Sequence, residues 1–139
     1  MIVADTNVVS ELMRPSPSPA LRDWVSRQAA GELYTTAITA AEIRYGLERL
    51  PGGRRKDRLL AAADEVLAAF SEHVLPFDAG AAVHYARIAR RRDEAGLPIG
   101  GFDAQIAAIC RAHGAALATR NSKDFLETGV EVIDPWGSP

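Results

Sequence analysis

The sequence predicts an α/β fold in which helices cover both faces of a parallel sheet. Short apolar segments alternate along the chain with segments whose apolar residues recur at helical spacing, and this alternation is typical of parallel sheets. The first strand is the clearest element, because the apolar run Met1-Ile2-Val3-Ala4 ends in the polar cluster Asp5-Thr6-Asn7. Two consecutive helical segments separated by a Pro-Gly-Gly turn also predict a helical hairpin.

The first half of the chain is predicted to contain two strands and four helices. Apolar side chains at helical spacing define the helices, and a serine–proline segment separates the first two. Tyr34, Thr35 and Thr36 give the second strand its β propensity. The predicted elements are a strand at 1–5, a helix at 7–13, a loop at 14–19, a helix at 20–30, a strand at 33–38, and helices at 39–50 and 54–71.

The second half of the chain is predicted to contain three strands, two helices and a short helical turn. Asp78 is the expected N-cap of the first of these helices and Gly96 its C-cap, and Gly114 is expected to cap the second. The predicted elements are a strand at 74–77, a helix from Asp78 to residue 94, a loop at 97–101, a helix at 102–113, a strand at 115–119, a helical turn at 122–126 and a strand at 130–133.

Length and composition predict one soluble globular domain that spans residues 1–139. Hydrophobic residues make up 47% of the chain and charged residues 24%, which are ordinary values for a globular protein. No apolar stretch approaches the ~20 residues of a membrane span, and the N-terminus lacks a signal-like segment. We therefore expect a cytoplasmic protein with no membrane partner. The single cysteine, Cys110, excludes an internal disulfide and is expected to pack in the core.

The net charge of −2 means that any attraction for nucleic acid must be local. Two basic clusters are candidates, Arg54-Arg55-Lys56 with Arg58, and Arg87 with Arg90-Arg91-Arg92. A solvated helix face explains either cluster equally well, because a basic patch is informative only where it borders a site.

Four acidic residues lie where a strand or loop gives way to a predicted helix: Asp5, Glu42, Asp103 and Asp124. Each can be explained as a helix cap. Glu42 follows Thr39 at the capping-box spacing, and Asp124 follows Asn121 at the same spacing. Asp5 and Asp103 stand at helix starts, where a carboxylate is favoured by the free backbone amides.

The same four carboxylates are also candidates for one cluster, because helix starts that follow parallel strands meet at the same edge of a sheet. Crowded carboxylates repel each other, and a cation would neutralise them. Oxygen ligands without histidine or cysteine neighbours suit Mg²⁺ or Mn²⁺. Glycine-rich phosphate loops, zinc spacing among the histidines and a serine nucleophile elbow are absent. Asn7 also replaces the second aspartate of phosphatases that use an aspartate nucleophile.

Four segments in succession carry a family resemblance. They are Ile2-Val3-Ala4-Asp5-Thr6-Asn7, Ile38-Thr39-Ala40-Ala41-Glu42-Ile43-Arg44-Tyr45-Gly46, Phe102-Asp103-Ala104-Gln105-Ile106-Ala107 and Ala118-Thr119-Arg120-Asn121. Their order and spacing resemble those of PIN-domain proteins over nearly the whole chain, in particular the VapC toxins of bacterial toxin–antitoxin pairs. The FitB-like branch of these toxins has an ending similar to Asp134-Pro135-Trp136. The resemblance implies a PIN-like three-layer fold, with a parallel sheet flanked by helices and a helical hairpin.

The resemblance also implies an activity and partners. The expected activity is that of a ribonuclease that depends on Mg²⁺, with Mn²⁺ as the alternative ion, and hydrolyses RNA with a metal-activated water. The expected partners are the RNA substrate and an inhibitory VapB-like antitoxin, in a heterocomplex that contains a toxin homodimer.

Site residues are carried over by position. Asp5, Glu42 and Asp103 match the acidic triad that binds the metal and performs catalysis. The fourth acidic position of the family aligns with Asn121, so either Asn121 or the nearby Asp124 fills it, and the number of metal ions stays open. The other residues expected beside the metal are Thr6, Asn7 and Thr119, although both threonines are equally explained as partners of turn amides. The candidate RNA contacts are Arg44, Arg87, Arg90, Arg91 and Arg120.

Two other functions remain compatible with the sequence. One is a PIN-like binding module that joins a small antitoxin-like partner in a DNA-binding repressor complex and has little nuclease activity. The other is a nuclease of structured DNA, which would use the same site chemistry. For the antitoxin, the resemblance implies a groove formed by the first helices and the hairpin. Its candidate apolar residues, which can equally belong to the core, are Leu21, Trp24, Ile43, Tyr45 and Leu47.

Overall fold

The computed structural model describes residues 1–137 and contains a five-stranded parallel sheet. The strands lie in the order β3-β2-β1-β4-β5, and all four neighbouring pairs are parallel. In register, Val3 of β1 lies between Tyr34 of β2 and Leu117 of β4. The strands are β1 at Ile2–Ala4, β2 at Leu33–Thr36, β3 at Val74–Leu75, β4 at Ala116–Ala118 and β5 at Val132–Ile133.

Six α-helices and two 3₁₀ turns connect these strands, as the alternating sequence pattern predicted. The 3₁₀ turns are Ser71–His73, before β3, and Ser122–Phe125, between β4 and β5. The predicted helical hairpin is present, because α3 and α4 follow each other and pack together. The helices are α1 at Thr6–Leu12, α2 at Pro19–Ser26, α3 at Ala37–Glu48, α4 at Arg54–Phe70, α5 at Ala79–Glu94 and α6 at Gly101–His113.

The sheet separates two hydrophobic cores, because successive residues of a strand face opposite sides. Val3 of β1 packs in the core that includes Ile88 of α5 and Ile109 of α6. The next residue, Ala4, packs in the core formed by α1 to α4, with Val8 among its members. The central strand is therefore covered on both faces, which explains why its sequence is apolar without interruption.

The start of α3 differs from the prediction, and this removes the predicted capping role of Glu42. The sequence predicted a strand to residue 38 and a helix from Thr39, but β2 ends at Thr36 and α3 begins at Ala37. The Thr36 hydroxyl accepts the hydrogen bond of the Thr39 backbone N–H at 3.0 Å. Thr36 is thus the N-cap, and the predicted capping box between Thr39 and Glu42 is wrong.

Other predicted boundaries also differ from the structure. The helix predicted at 20–30 ends at Ser26, and the last strand is confined to Val132–Ile133. The helix predicted from Phe102 begins one residue earlier, at Gly101, with Gly100 as its N-cap. Cys110 is fully buried, as expected.

The chain order of the strands creates a crevice beside β1. The chain runs from β1 to β2 and β3 on one side of the sheet, and then crosses over to β4 and β5 on the other side. In open parallel sheets, ligands bind at the carboxyl ends of the strands where this reversal occurs. Here the reversal lies between β1 and β4, and the Asp5 backbone N–H donates to the Ala118 carbonyl across it at 3.0 Å.

Candidate active site

Asp5 follows β1 directly and is 4% exposed. It is the N-cap of α1, because its Oδ1 accepts a hydrogen bond from the Val8 backbone N–H at 3.1 Å. Its Oδ2 accepts bonds from the Thr119 hydroxyl and, at 3.4 Å, from Asn7 Nδ2. Burial raises the pKa of Asp5 to about 6, against the lowering effect of these bonds, and the charge of Asp103 raises it as well. Asp5 is therefore a helix cap whose charge the fold leaves poorly compensated.

Glu42 lies on α3 and faces the same region as Asp5. Its Oε1 accepts a hydrogen bond from the Thr6 hydroxyl at 2.7 Å. Thr6 is the residue after Asp5, so this bond connects the Glu42 carboxylate to the start of α1. The Thr6 and Thr39 hydroxyl oxygens are 3.4 Å apart, which places a second threonine of α3 beside the bond. Glu42 is thus held by a side chain of the site and not by the amides of its own helix.

Asp103 is the third residue of α6 and is partly buried. Gly100 is the N-cap, and Asp103 lies in the first turn of the helix, where the free backbone amides favour a carboxylate, as predicted. Burial raises the pKa of Asp103, and the charges of Glu42 and Asp124 raise it further. Because Asp103 in turn raises the pKa of Asp5, the four predicted carboxylates form one chain of repelling neighbours.

The segment after β4 completes this edge of the sheet. Thr119 is fully buried, donates its hydroxyl to Asp5, and accepts the Asn121 backbone N–H at 3.1 Å. Asn121 precedes the 3₁₀ turn Ser122–Phe125 that carries Asp124. No side-chain bond caps this turn, so the predicted capping pair of Asn121 and Asp124 is wrong; their contact is a backbone bond of 3.0 Å.

The chemistry of this donor set fits a hard divalent ion. The carboxylates of Asp5, Glu42, Asp103 and Asp124 supply oxygen atoms only, and a nearby cation would offset the repulsion that raises the pKa values of Asp5 and Asp103. Within residues 1–137, however, no three His, Cys, Asp or Glu side chains already lie in an arrangement that would hold a metal ion. The four carboxylates therefore influence one another's charge at one edge of the sheet, but their oxygen atoms do not surround a single metal position.

Two clefts lie on either side of α1 at this edge. The first, which we call the groove, has a volume of ≈ 520 Å³ and is mainly apolar; its lining includes Thr6, Met13, Glu42, Ile43, Leu47 and Leu59. The second, which we call the Trp136 pocket, has a volume of ≈ 240 Å³ and a mixed lining of polar, charged and aromatic side chains: Asn7, Ser10, Glu11, Arg14, Arg120, Asn121 and Trp136. Ser10 and Arg14 contribute to both clefts.

Residues 2–131 match the PIN domain family. The chain belongs to this family. A VapC ribonuclease of Sinorhizobium fredii, Y4jK, is 42% identical over 137 residues, which cover 98% of each chain. The toxin FitB of Neisseria gonorrhoeae is 36% identical over 137 residues, which cover 98% of this chain and 99% of FitB.

Solved PIN-domain structures have the same arrangement of elements. A chain in the structure of FitAB bound to an IR36 DNA fragment superposes with a TM-score of 0.91 at 35% identity, covering 100% of this chain and 98% of that one. The predicted fold class, a parallel sheet flanked by helices with a helical hairpin, is confirmed.

The arginines predicted to contact RNA are placed differently from one another in this PIN domain. Arg44 pairs with Asp64 at 2.9 Å, Arg90 with Glu94 at 2.9 Å and Arg91 with Glu127 at 3.1 Å, all on the surface. Arg87 borders a small cleft of α5 together with Arg91. Arg120 is the one of the five that lines a cleft beside Asp5, in the part of the chain that the structure describes.

Arg92 is a residue near the site that the sequence did not single out from its basic cluster. It is only 5% exposed, so the solvated-face interpretation is wrong for this residue. Its Nη1 donates to the Leu126 carbonyl at 2.6 Å, and its Nε is buried with no hydrogen-bond partner within residues 1–137. The charge of Arg92 lowers the pKa of Asp103. The signal available in the sequence was weak, because three consecutive arginines at a helix end usually face water.

Proposed function

We propose that this chain is a metal-dependent endoribonuclease that acts in the cytoplasm as the toxin of a type II toxin–antitoxin pair. The observation that supports this most is the coupling of four carboxylates at the carboxyl edge of a parallel sheet in a PIN domain. The relatives named VapC ribonuclease and FitB toxin match over nearly the whole chain. We further propose that residues 1–139 form a single PIN domain, although residues 138 and 139 lie outside the described part of the chain.

Asp5 and Asp103 would hold Mg²⁺ or Mn²⁺, and Glu42 would either bind the same ion or orient a water beside it. When bound, such an ion lowers the pKa of a coordinated water and polarises the phosphodiester. Either Asp124 or Asn121 would fill the fourth position of this set, and Asp124 is supported by its charge, which raises the pKa of Asp103. Whether one or two ions bind depends on how far this fourth position contributes.

The neutral residues of the site position the carboxylates. The Thr6 hydroxyl holds Glu42 Oε1 at 2.7 Å and thereby fixes the direction of the carboxylate from α3. The Thr119 hydroxyl and the Asn7 amide hold Oδ2 of Asp5 from the other side. Such partners of ligand residues fix the ligand geometry before the ion arrives. Substrate cleavage then needs no covalent nucleophile from the protein.

Cleavage of RNA by the isolated chain tests the proposal. The protein is purified free of antitoxin and incubated with mixed cellular RNA in the presence of Mg²⁺, Mn²⁺ or EDTA. We expect cleavage with either metal, none with EDTA, and a loss of activity in Asp103→Asn. Asp93→Asn is the matched control, because Asp93 is an exposed aspartate of α5. Full activity in Asp103→Asn, or no RNA cleavage by the wild-type protein with either ion, would defeat the assignment.

The groove is the proposed binding site for a segment of a VapB-like antitoxin. Of the five apolar residues expected to line it, Ile43 and Leu47 do so, whereas Leu21 is fully buried in the core, Trp24 is partly buried against that core and Tyr45 is 62% exposed. The groove leads from apolar side chains to the Glu42 carboxylate. An antitoxin segment with apolar side chains and one arginine would fill the groove and neutralise the acidic edge.

Titration of Mg²⁺ into the complex separates charge neutralisation from steric blockage. If the antitoxin arginine competes with the ion, saturating Mg²⁺ weakens inhibition, and the isolated segment lowers the affinity of the toxin for Mg²⁺. Unchanged inhibition and unchanged affinity would leave steric blockage alone. The homodimer implied by the family resemblance stays a prediction, for which sedimentation of the toxin alone is the measurement.

A second candidate function is a DNA-binding repressor complex formed with the antitoxin, with little nuclease activity. The similarity to a chain of FitAB, which is bound to DNA in its structure, favours this candidate. DNA binding with and without the partner, measured beside RNA cleavage by the isolated chain, distinguishes the two. A DNA hairpin included in the cleavage assay tests activity on structured DNA.

A further inference from the structure

In the Trp136 pocket, a cationic side chain lies over an aromatic ring. The Arg120 guanidinium lies 4.7 Å from the centroid of the Trp136 ring. Trp136 is partly buried and packs against the core formed by α1 to α4, while its backbone N–H donates to Asp134 Oδ1 at 2.9 Å. The core packing and this backbone hydrogen bond therefore hold the indole in place. Nucleobases stack on such indole and guanidinium planes whatever their sequence.

Two side-chain amides lie in the same pocket. Asn7 and Asn121 each offer a donor and an acceptor, which is the combination that reads the hydrogen-bonding edge of a base. Both are exposed to solvent at the pocket wall. Asn121 makes no capping bond to the turn that follows it, so its amide is not committed to the start of that turn.

The pocket is connected to the acidic edge through these same residues. The Asn7 amide contacts Oδ2 of Asp5 at 3.4 Å. The Asn121 backbone donates to the Thr119 hydroxyl, which donates to the same Asp5 carboxylate. A ligand held between the two asparagines is thus one side chain away from Asp5. Arg120 adds a cationic side chain to the pocket, whereas Arg14 forms an ion pair there with Glu11 at 3.4 Å.

The two clefts differ in chemistry and therefore suit different ligands. The groove is mainly apolar and suits a hydrophobic peptide, whereas the Trp136 pocket combines an aromatic ring, two amides, the Arg120 cation and the Arg14–Glu11 ion pair. We propose that the Trp136 pocket binds one nucleobase of single-stranded RNA, next to the phosphodiester at the acidic edge. This inference rests on the proposed ribonuclease function and adds the site that reads or stacks a flanking base.

A double-mutant cycle that combines protein substitutions with removal of single RNA bases tests the pocket. A short fluorescein-labelled RNA is prepared intact and with a single abasic nucleotide at each position in turn, and its Kd is measured by anisotropy in EDTA. With the wild-type protein, we expect one abasic position to weaken binding about tenfold, the effect of losing one stacked base. With Trp136→Leu, removal of the same base should cost less than about twofold, because the stacking partner is already missing.

Further variants keep the result interpretable. Trp136→Phe retains an aromatic ring and should keep part of the coupling, and Arg120→Met should reduce it. Trp24→Leu is the matched control, because Trp24 is a partly buried tryptophan of α2 that does not line the pocket. Thermal melting of each variant shows whether it folds. If Trp136→Leu does not fold, the comparison of Trp136→Phe and Arg120→Met with the wild type decides.

Additive losses at every RNA position would overturn the proposal. The proposal would also be overturned if Trp136→Leu weakened antitoxin binding without changing RNA binding, because the pocket would then bind a protein side chain. For RNA that the wild-type protein cleaves, the same cycle in kcat/KM should show the same coupling for a base beside the cut. Absence of cleavage with Mg²⁺ or Mn²⁺ refutes the ribonuclease proposal, whereas absence of coupling in Kd refutes the nucleobase pocket, so the two failures are distinct.

Discussion

Replacing Asp5 with asparagine should stabilise the protein at neutral pH in the absence of metal. Asn remains a good N-cap, so the bond from the Val8 backbone N–H to the side chain at position 5 can persist. The variant removes a carboxylate that is 4% exposed and that stands near the charge of Asp103. A residue that only capped α1 would give no such gain.

The size of the effect follows from the pKa of Asp5. Its pKa is 3.8 as a free side chain and about 6 in the folded protein. Because the folded pKa is raised, the contribution of Asp5 to stability is present below pH 3.8 and is lost as the pH rises through 6. At about 1.4 kcal/mol per pH unit, the ionised side chain destabilises the fold by about 3 kcal/mol above pH 6. Asp5→Asn should recover up to this amount, less the cost of re-forming the bond with Thr119.

Urea unfolding followed by circular dichroism in EDTA, between pH 4 and pH 8, measures this difference. The wild-type protein should lose stability relative to Asp5→Asn as the pH rises, and Mg²⁺ should stabilise the wild type more than the variant. Asp78→Asn is the control, because Asp78 is an exposed N-cap that accepts from the Ala81 backbone N–H at 3.0 Å. A lower stability of Asp5→Asn at pH 8, with the same pH dependence as the wild type, would refute the reasoning.

Three further predictions concern single side chains. Thr6→Val should cost about 1 kcal/mol by removing the 2.7 Å bond to Glu42 and should lower kcat, whereas Thr6→Ser should keep both near the wild-type values in chemical unfolding and RNA cleavage. Asn121→Asp should tighten Mg²⁺ binding several-fold in titration calorimetry by adding an anionic oxygen, and unchanged affinity would place this residue outside the metal site. Burial raises the pKa of the Cys110 thiol to about 12, so a disulfide reagent at pH 8 should label it only after unfolding, and rapid labelling of the folded protein would contradict its core position.

The sequence predicted best those elements whose position depends only on neighbouring residues in the chain. A short apolar strand that ends in Asp5-Thr6-Asn7 specified the first element and its carboxylate without any knowledge of the neighbours. The start of α3 was not predictable in the same way, because Thr36 and Thr39 are both good caps. The choice between them depends on where β2 stops pairing with β3, at Thr36 opposite Leu75, and this is a long-range property of the sheet.

The environment of Arg92 could not be read from its helix. Its neighbours Arg90 and Arg91 are exposed and paired with glutamates, as a basic helix end predicts. Arg92 is buried because the chain returns 34 residues later and places the Leu126 carbonyl against its guanidinium. Contacts of this kind depend on the packing of the segment after β4, which no periodicity in α5 reports.

The hydrogen bond between Thr119 and Asp5 joins residues that are 114 positions apart. During synthesis, β1 leaves the ribosome first, but Asp5 has no partner across the sheet until β4 has emerged and paired beside it. Asp103 on α6 also arrives late. Under the proposed function, the nascent chain therefore stays harmless to the RNA of the ribosome that is making it until most of its length has been translated. The position of β4 beside β1 in the sheet thus delays assembly of the acidic site until most of the chain has been translated.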